Sequence, residues 1–156
     1  MKRILPLHNV VNQLNTLIAE GTSSEQILFT RDYVYGNWGV ILFSSTSTNS
    51  SLKYCKIENA GSIVNAIDLV NFYGALSFYK CSATVENCEI VNNSVTGIAC
   101  INSASPTLKN SLICDNLNIG LYCYSSSSPV ITNCTFANNG WQGIYAISSS
   151  SPVIKN

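Results

Sequence analysis

Gly120-Leu121-Tyr122-Cys123-Tyr124-Ser125-Ser126-Ser127-Ser128-Pro129-Val130-Ile131-Thr132-Asn133-Cys134-Thr135-Phe136-Ala137-Asn138-Asn139-Gly140-Trp141-Gln142 is one unit of a repeat, and this unit decides the architecture. Asparagine recurs at Asn87, Asn110, Asn133 and Asn156, glycine at Gly74, Gly97, Gly120 and Gly143, and proline at Pro106, Pro129 and Pro152. Each series steps by 23 residues without drift. A fixed period of this length marks a solenoid, in which every repeat is one coil stacked on the last. Within the unit, short apolar runs alternate with polar residues at strand periodicity. Ser, Asn, Gly and Pro stand between the runs, where a chain must turn through a preset or positive φ.

Stacking such coils pairs each strand with its own copy one repeat away, parallel and in register, at roughly 4.8 Å per coil. Crossovers between parallel strands are almost always right-handed. The expected fold is therefore all-β, a right-handed parallel β-helix (a β-solenoid) with about 23 residues per coil and about five to six coils. The expected inward columns are Val85, Leu108, Ile131 and Ile154; Ile90, Ile113 and Phe136; Cys88, Ser111 and Cys134; Ala75, Ile98, Leu121 and Ile144; and Ser77, Cys100, Cys123 and Ala146. The Asn87, Asn110, Asn133 and Asn156 series is placed at a corner, in the left-handed conformation, with its amides laddered. On that reading Asn133→Ala harms stability more than Asn139→Ala, since Asn139 falls in an exposed turn. Outward columns pair Glu86 with Lys109 and Lys56 with Glu89.

The earlier half repeats less regularly. Leu52 to Asn59 matches Val85 to Asn92, but 33 residues separate Cys55 from Cys88, so ten extra residues fall between Ile57 and Gly74, around Ala60 to Val70. Trp38-Gly39-Val40-Ile41 echoes the Gly-led strand, and Ile27-Leu28-Phe29-Thr30 the strand before it. Leu7, Val10, Val11, Leu14, Leu17 and Ile18 lie at helical spacing, with Gly21 as a stop. A capping helix over residues 4–19 and a first-coil strand at Thr16 to Ala19 are both open, the strand being preferred. The chain divides as one β-helix domain: residues 1–26 an irregular or capping first coil, 27–73 coils with insertions, and 74–156 regular coils.

Gly21-Thr22, Ile27 to Thr30, Trp38 to Ile41, Leu52 to Ala60 and the serial Ser-Pro-Val-Ile-x-Asn units (Ser128 to Asn133 is one) together resemble bacterial right-handed β-helix repeat proteins of the pectate-lyase-like superfamily. The resemblance covers roughly residues 17–156. It implies a large secreted or cell-surface parent protein, in which such coils serve as scaffolds, adhesins or platforms for polysaccharide chemistry. Ser151-Pro152-Val153-Ile154-Lys155-Asn156 stops in mid-coil, as expected of a segment with further β-helix coils beyond it.

Formal net charge is zero and 10% of residues are charged, so nothing invites nucleic acid. No apolar run approaches the ~20 residues of a membrane span. Seven cysteines occur without a Cys-x-x-Cys, and His8 is the one histidine, so no metal site or cofactor is expected. Cys55, Cys88, Cys100, Cys123 and Cys134 fall in inward columns and read as small buried hydrophobes. Glycan cleavage needs paired carboxylates, a Ca²⁺ cluster with a basic residue, or a His/Tyr acid–base set. The acidic residues are scattered singly, with Asp32 and Asp68 the least implausible. Aromatics offer a binding reading instead. Tyr122, Trp141 and Tyr145 are expected to form an outward strip suited to sugar rings, in a column running Leu76, Ala99, Tyr122, Tyr145. The expected function is a non-catalytic scaffold contacting a polysaccharide or glycan. The alternative is a segment of a polysaccharide lyase, hydrolase or epimerase whose catalytic coils lie outside this chain.

Overall fold

A computed structural model describes residues 2–4, 16–31, 38–45, 49–61, 64–67 and 70–156. Among them no helix occurs, and the chain winds through three parallel sheets. Each regular coil runs through a Gly-led strand, a middle strand and a trailing strand. The Gly-led sheet stacks Ile41–Phe43, Gly74–Tyr79, Thr96–Ile101, Leu121–Tyr124 and Ile144–Ala146. The middle sheet stacks Ile18–Glu20, Ser51–Lys53, Thr84–Glu86, Thr107–Lys109, Val130–Thr132 and Val153–Lys155. The trailing sheet stacks Lys2–Ile4, Ile27–Phe29, Cys55–Ile57, Glu89–Val91, Leu112–Cys114 and Thr135–Ala137. The first strand of the middle sheet takes up residues 18–20, so the preferred strand holds there; residues 5–15 of the proposed capping helix lie outside the described residues.

Register follows burial in all but the last coil, where Ile154, expected inward, is 62% exposed. Ala19, Leu52, Val85, Leu108, Ile131 and Ile154 line up in the middle sheet, and Phe29, Ile57, Ile90, Ile113 and Phe136 in the trailing sheet. In the Gly-led sheet the expected columns need correction. Ile98 lies beside Leu76, not Ala75, and Cys100 beside Phe78, not Ser77. Gly74 accordingly pairs with Thr96 and stands outside the glycine series. A one-residue slip exchanges the two faces of a strand. Here it turns Leu76 and Phe78 inward, where both are fully buried and Phe78 stacks on Phe43 at 5.2 Å. The next corner absorbs the slip. Lys80 alone has positive φ (52°) there, where later coils use the pairs Asn102–Ser103, Ser125–Ser126 and Ser148–Ser149.

The asparagine assignment also changes. Asn87, Asn110 and Asn133 do take left-handed conformations at the middle-to-trailing corner, φ 53°, 48° and 51°. Their ladder, however, is one 3.3 Å contact between exposed Asn133 and Asn110. The buried ladder is Asn93, Asn116 and Asn139, one corner further on. Asn116 Nδ2 donates to Asn139 Oδ1 and to Ile90 O, both at 3.0 Å, and its Oδ1 accepts from Asn93 Nδ2 (2.8 Å) and Asn93 N (3.3 Å). All four amide positions are thus used inside a buried corner. Ala60 N donates to Asn93 Oδ1 at 3.0 Å and ends the ladder. The insertion leaves immediately afterwards and includes an antiparallel hairpin of Val64–Ile67 with Val70–Phe72, more ordered than a plain loop.

This ladder explains the glycines. A Cβ on Gly97 would lie 2.8 Å from Asn116 Nδ2, and one on Gly120 would lie 2.7 Å from Asn139 Nδ2. Real side chains do not approach so closely, so the inward-turned amide of the next coil requires a bare backbone at that step.

The cysteines are all free thiols. Cys55, Cys88, Cys100 and Cys123 are buried, while Cys134 is half-buried. Cys88 and Ser111 do more than fill space: Cys55 N donates to Cys88 Sγ at 3.4 Å, and Cys88 N to Ser111 Oγ at 3.1 Å. Each side chain receives the backbone N–H of the coil before, which is why Cys and Ser interchange in that column. The hydrogen bond to Cys88 and burial push the Cys55 thiol up, and burial first of all pushes up Cys100.

Two outcomes are expected. Asn116→Ala leaves Ile90 O, Asn93 N and Asn139 Oδ1 short of partners, at about 1–3 kcal/mol for an unsatisfied buried group. Its loss in urea unfolding should be at least about 2 kcal/mol, against about 1 kcal/mol for exposed Asn133→Ala, which gives up one exposed contact and leaves an alanine at positive φ. Equal urea midpoints would refute the buried ladder. Thiol labelling of the native protein should spare Cys55, Cys88, Cys100 and Cys123. Burial, then the Asp115 carboxylate, raise the Cys114 thiol to about 11. Since the thiolate is the reacting form, Cys114 should label slowly at neutral pH and faster as pH climbs toward about 11. Native labelling of Cys100 at its denatured rate would contradict the inward assignment.

Candidate functional site: an outer tyrosine strip

The Gly-led sheet has two unlike outer regions. In its earlier coils the outward residues Leu42, Ser77, Ala99, Tyr79 and Ile101 are all buried. In the next coil the same columns reach Tyr122 and Tyr124, and in the following one Tyr145. The outward column is therefore Leu42, Ser77, Ala99, Tyr122 and Tyr145; the expected Leu76 points inward instead.

Strand alternation puts Tyr122 and Tyr124 on one face, and in-register stacking puts Tyr145 beside Tyr122. The rings meet. Tyr122 and Tyr145 lie 6.0 Å apart between centroids at 23°, and Tyr122 and Tyr124 6.2 Å apart at 17°. At such distances near-parallel rings overlap with an offset, a favoured aromatic geometry. Tyr124 and Tyr145 keep 40% and 39% of their surface exposed. Burial, followed by the neighbouring phenols of Tyr124, Tyr145 and Tyr73, pushes the Tyr122 hydroxyl above its usual range, so it stays protonated.

Two of the three expected strip residues, Tyr122 and Tyr145, come together. Trp141 stands apart at the corner leading into the last Gly-led strand, 72% exposed, and among the described residues its ring has no aromatic partner. Its backbone N–H donates to Asn118 O at 3.1 Å. Gly140 before it is tightly placed, because a Cβ there would run into the Leu117 carbonyl. Tyr124 and Tyr73 were missed. The i, i+2 spacing of Tyr124 from Tyr122 was available as a signal, whereas Tyr73 follows the inserted segment and carries no periodic mark.

Four of the described carboxylates are engaged elsewhere. Glu58 contacts Lys56 at 2.8 Å and accepts from Thr30, Glu89 accepts from Gln26, Glu86 lies 4.0 Å from Lys53, and Glu20 accepts from Ser51. Lys56 thus takes Glu58 as its close ion partner, although Glu89 is its strand neighbour as expected. Asp32 and Asp68 lie outside the described residues. Among the described residues no group of three His, Cys, Asp or Glu could hold a metal ion.

No curated protein and no solved structure matches the chain. A family model described as "Right handed beta helix region" matches residues 22–156. With three parallel sheets wound coil upon coil, the chain belongs to the right-handed β-helix family.

Proposed function

We propose that this segment is a non-catalytic β-solenoid scaffold of a secreted or cell-surface protein, and that it contacts glycans through Tyr122, Tyr124 and Tyr145, with Trp141 as an outlying contact. The observation that carries the reading is the exposed ring stack of Tyr122 with Tyr145 on the outer face of the Gly-led sheet. Amphipathic rings offer apolar area to the C–H faces of sugars and hydroxyls to their polar edges. Coils that present such rings at a constant rise suit a repeating polymer better than a compact ligand.

The placing of the carboxylates favours binding over cleavage. Glycosidases set two carboxyl groups across the scissile bond. Glu20 and Glu86 project from the middle sheet and Glu89 from the trailing sheet, each beside a polar or basic neighbour and away from the tyrosines.

A strip of three exposed rings should bind weakly, with a millimolar Kd, about −4 kcal/mol. On a glycan array the protein should show weak binding that Tyr145→Ala reduces more than Trp141→Ala. Incubation with polysaccharides should release neither reducing ends nor unsaturated products. Turnover by this segment would overturn the scaffold reading, and array binding indifferent to Tyr145→Ala would remove the strip.

A further inference from the structure

The five strands of the Gly-led sheet, Ile41–Phe43, Gly74–Tyr79, Thr96–Ile101, Leu121–Tyr124 and Ile144–Ala146, contain no Asp, Glu, Lys or Arg. The strand-borne charges of the regular coils are on the other two sheets, while Lys80 and Asp115 stand at corners, Lys80 with its Nζ 4.8 Å from the Tyr79 ring centroid. Glu20, Lys53, Glu86, Lys109 and Lys155 share a column of the middle sheet, and Lys56 and Glu89 lie on the trailing sheet. Tyr122 and Tyr145 are register partners on successive coils, so the strip runs along the solenoid axis. Tyr73, 40% exposed, directly precedes the strand Gly74–Tyr79, where Thr96 N donates to its carbonyl at 3.0 Å. Its phenol is among those felt by Tyr122.

We infer that the strip selects an uncharged, extended polysaccharide laid along the solenoid axis, with Tyr73 and Tyr124 contributing contacts beside Tyr122 and Tyr145. The inference rests on the glycan-contacting reading above and narrows it to a substrate class. A polyuronate or sulfated chain would bring carboxylates or sulfates against strands that carry no cation, with the Lys80 ammonium held over Tyr79, two coils before Tyr124. Desolvating an ionised group without a partner is strongly unfavourable. A neutral sugar makes no such demand. Its hydroxyls can donate to and accept from phenol oxygens, which do both, while its C–H faces cover ring area left open by the offset stack. Recognition of this kind involves no ion pairs, so salt leaves it unchanged, whereas attraction of a polyanion to exposed charges is screened.

The test is affinity electrophoresis of the intact chain through gels holding a neutral β-linked glucan or polygalacturonate, repeated by light-scattering titration between roughly 0.01 M and 1 M salt. The neutral polymer should retard the protein with an apparent affinity roughly tenfold above that for polygalacturonate and independent of salt. Tyr145→Ala and Tyr124→Ala should each abolish most of the retardation. Tyr145→Phe, which keeps the ring and therefore the packing on Tyr122, controls for misfolding and should retain part of it. Equal, Tyr145-dependent retardation by polygalacturonate would overturn the neutral class while leaving the strip intact. Retardation by neither polymer would overturn both readings. Retardation by the glucan that both alanine variants retain would place the contact elsewhere and overturn the strip.

Discussion

The side-chain amides of Asn93, Asn116 and Asn139, turned inward at the trailing-to-Gly-led corner, hold the regular coils in register. Each corner must bury backbone polar groups that no strand can pair, and a buried group without a partner costs as much as a lost hydrogen bond. Asn116 resolves this for two coils at once. It takes the N–H of Asn93 and supplies Ile90 O, both in the coil below, and passes one bond to Asn139 above. The amide can do so only if the Gly-led strand of the coil below leaves out a side chain where the amide sits. Gly97 and Gly120 meet that condition, so the ladder and the glycine series are one device. The Cys88 and Ser111 column repeats the same principle at the preceding corner with a smaller acceptor.

Where the device stops, the outline changes. Ala60 accepts nothing through its side chain, and the insertion departs from that position. Free of the corner constraint, the strand Gly74–Tyr79 settles one residue out of step, and that register turns the large side chains Leu76 and Phe78 inward. The same slip places Ser77, not Leu76, on the outer side next to Ala99. The outer face of the early coils is buried and the face beyond it opens onto Tyr122, Tyr124 and Tyr145.

The coil period, the three-sheet winding and most inward columns were legible, since burial on a strand forces alternation and stacking forces repetition. Four things were not. Asn87 to Asn133 and Asn93 to Asn139 both step by the same interval, and period alone cannot say which amide turns inward. The deciding sign is the glycine four residues after Asn93 and Asn116, whose meaning appears only once the amide of the next coil occupies the space of its Cβ. The register of Leu76 depended on an insertion whose length leaves the next strand free to slip. The choice of Glu58 over Glu89 as the partner of Lys56 reflects side-chain reach along one strand, which column alignment ignores. Trp141 looked like part of the strip because it is an aromatic residue close to Tyr145 in sequence, but it still lies in the corner, before the strand that carries Tyr145 starts at Ile144.

In-register stacking also limits what chemistry such a surface can carry. A charged residue repeated in every coil would set like charges about 4.8 Å apart, which is destabilising across neighbouring strands. The middle sheet avoids this by alternating sign, Glu20, Lys53, Glu86, then Lys109, before the uncharged Thr132 intervenes ahead of Lys155. Uncharged residues suffer no such penalty and often gain from repetition: amides ladder, hydroxyls accept N–H groups and aromatic rings overlap. The low charge content of the chain is thus a consequence of its regularity. A face assembled from residues that tolerate repetition is built from Ser, Thr, Asn and Tyr, and of these tyrosine alone combines a large apolar area with a hydrogen-bonding tip. Exposed tyrosines on successive coils are consequently the recognition surface that a neutral, strictly periodic β-helix can most readily support.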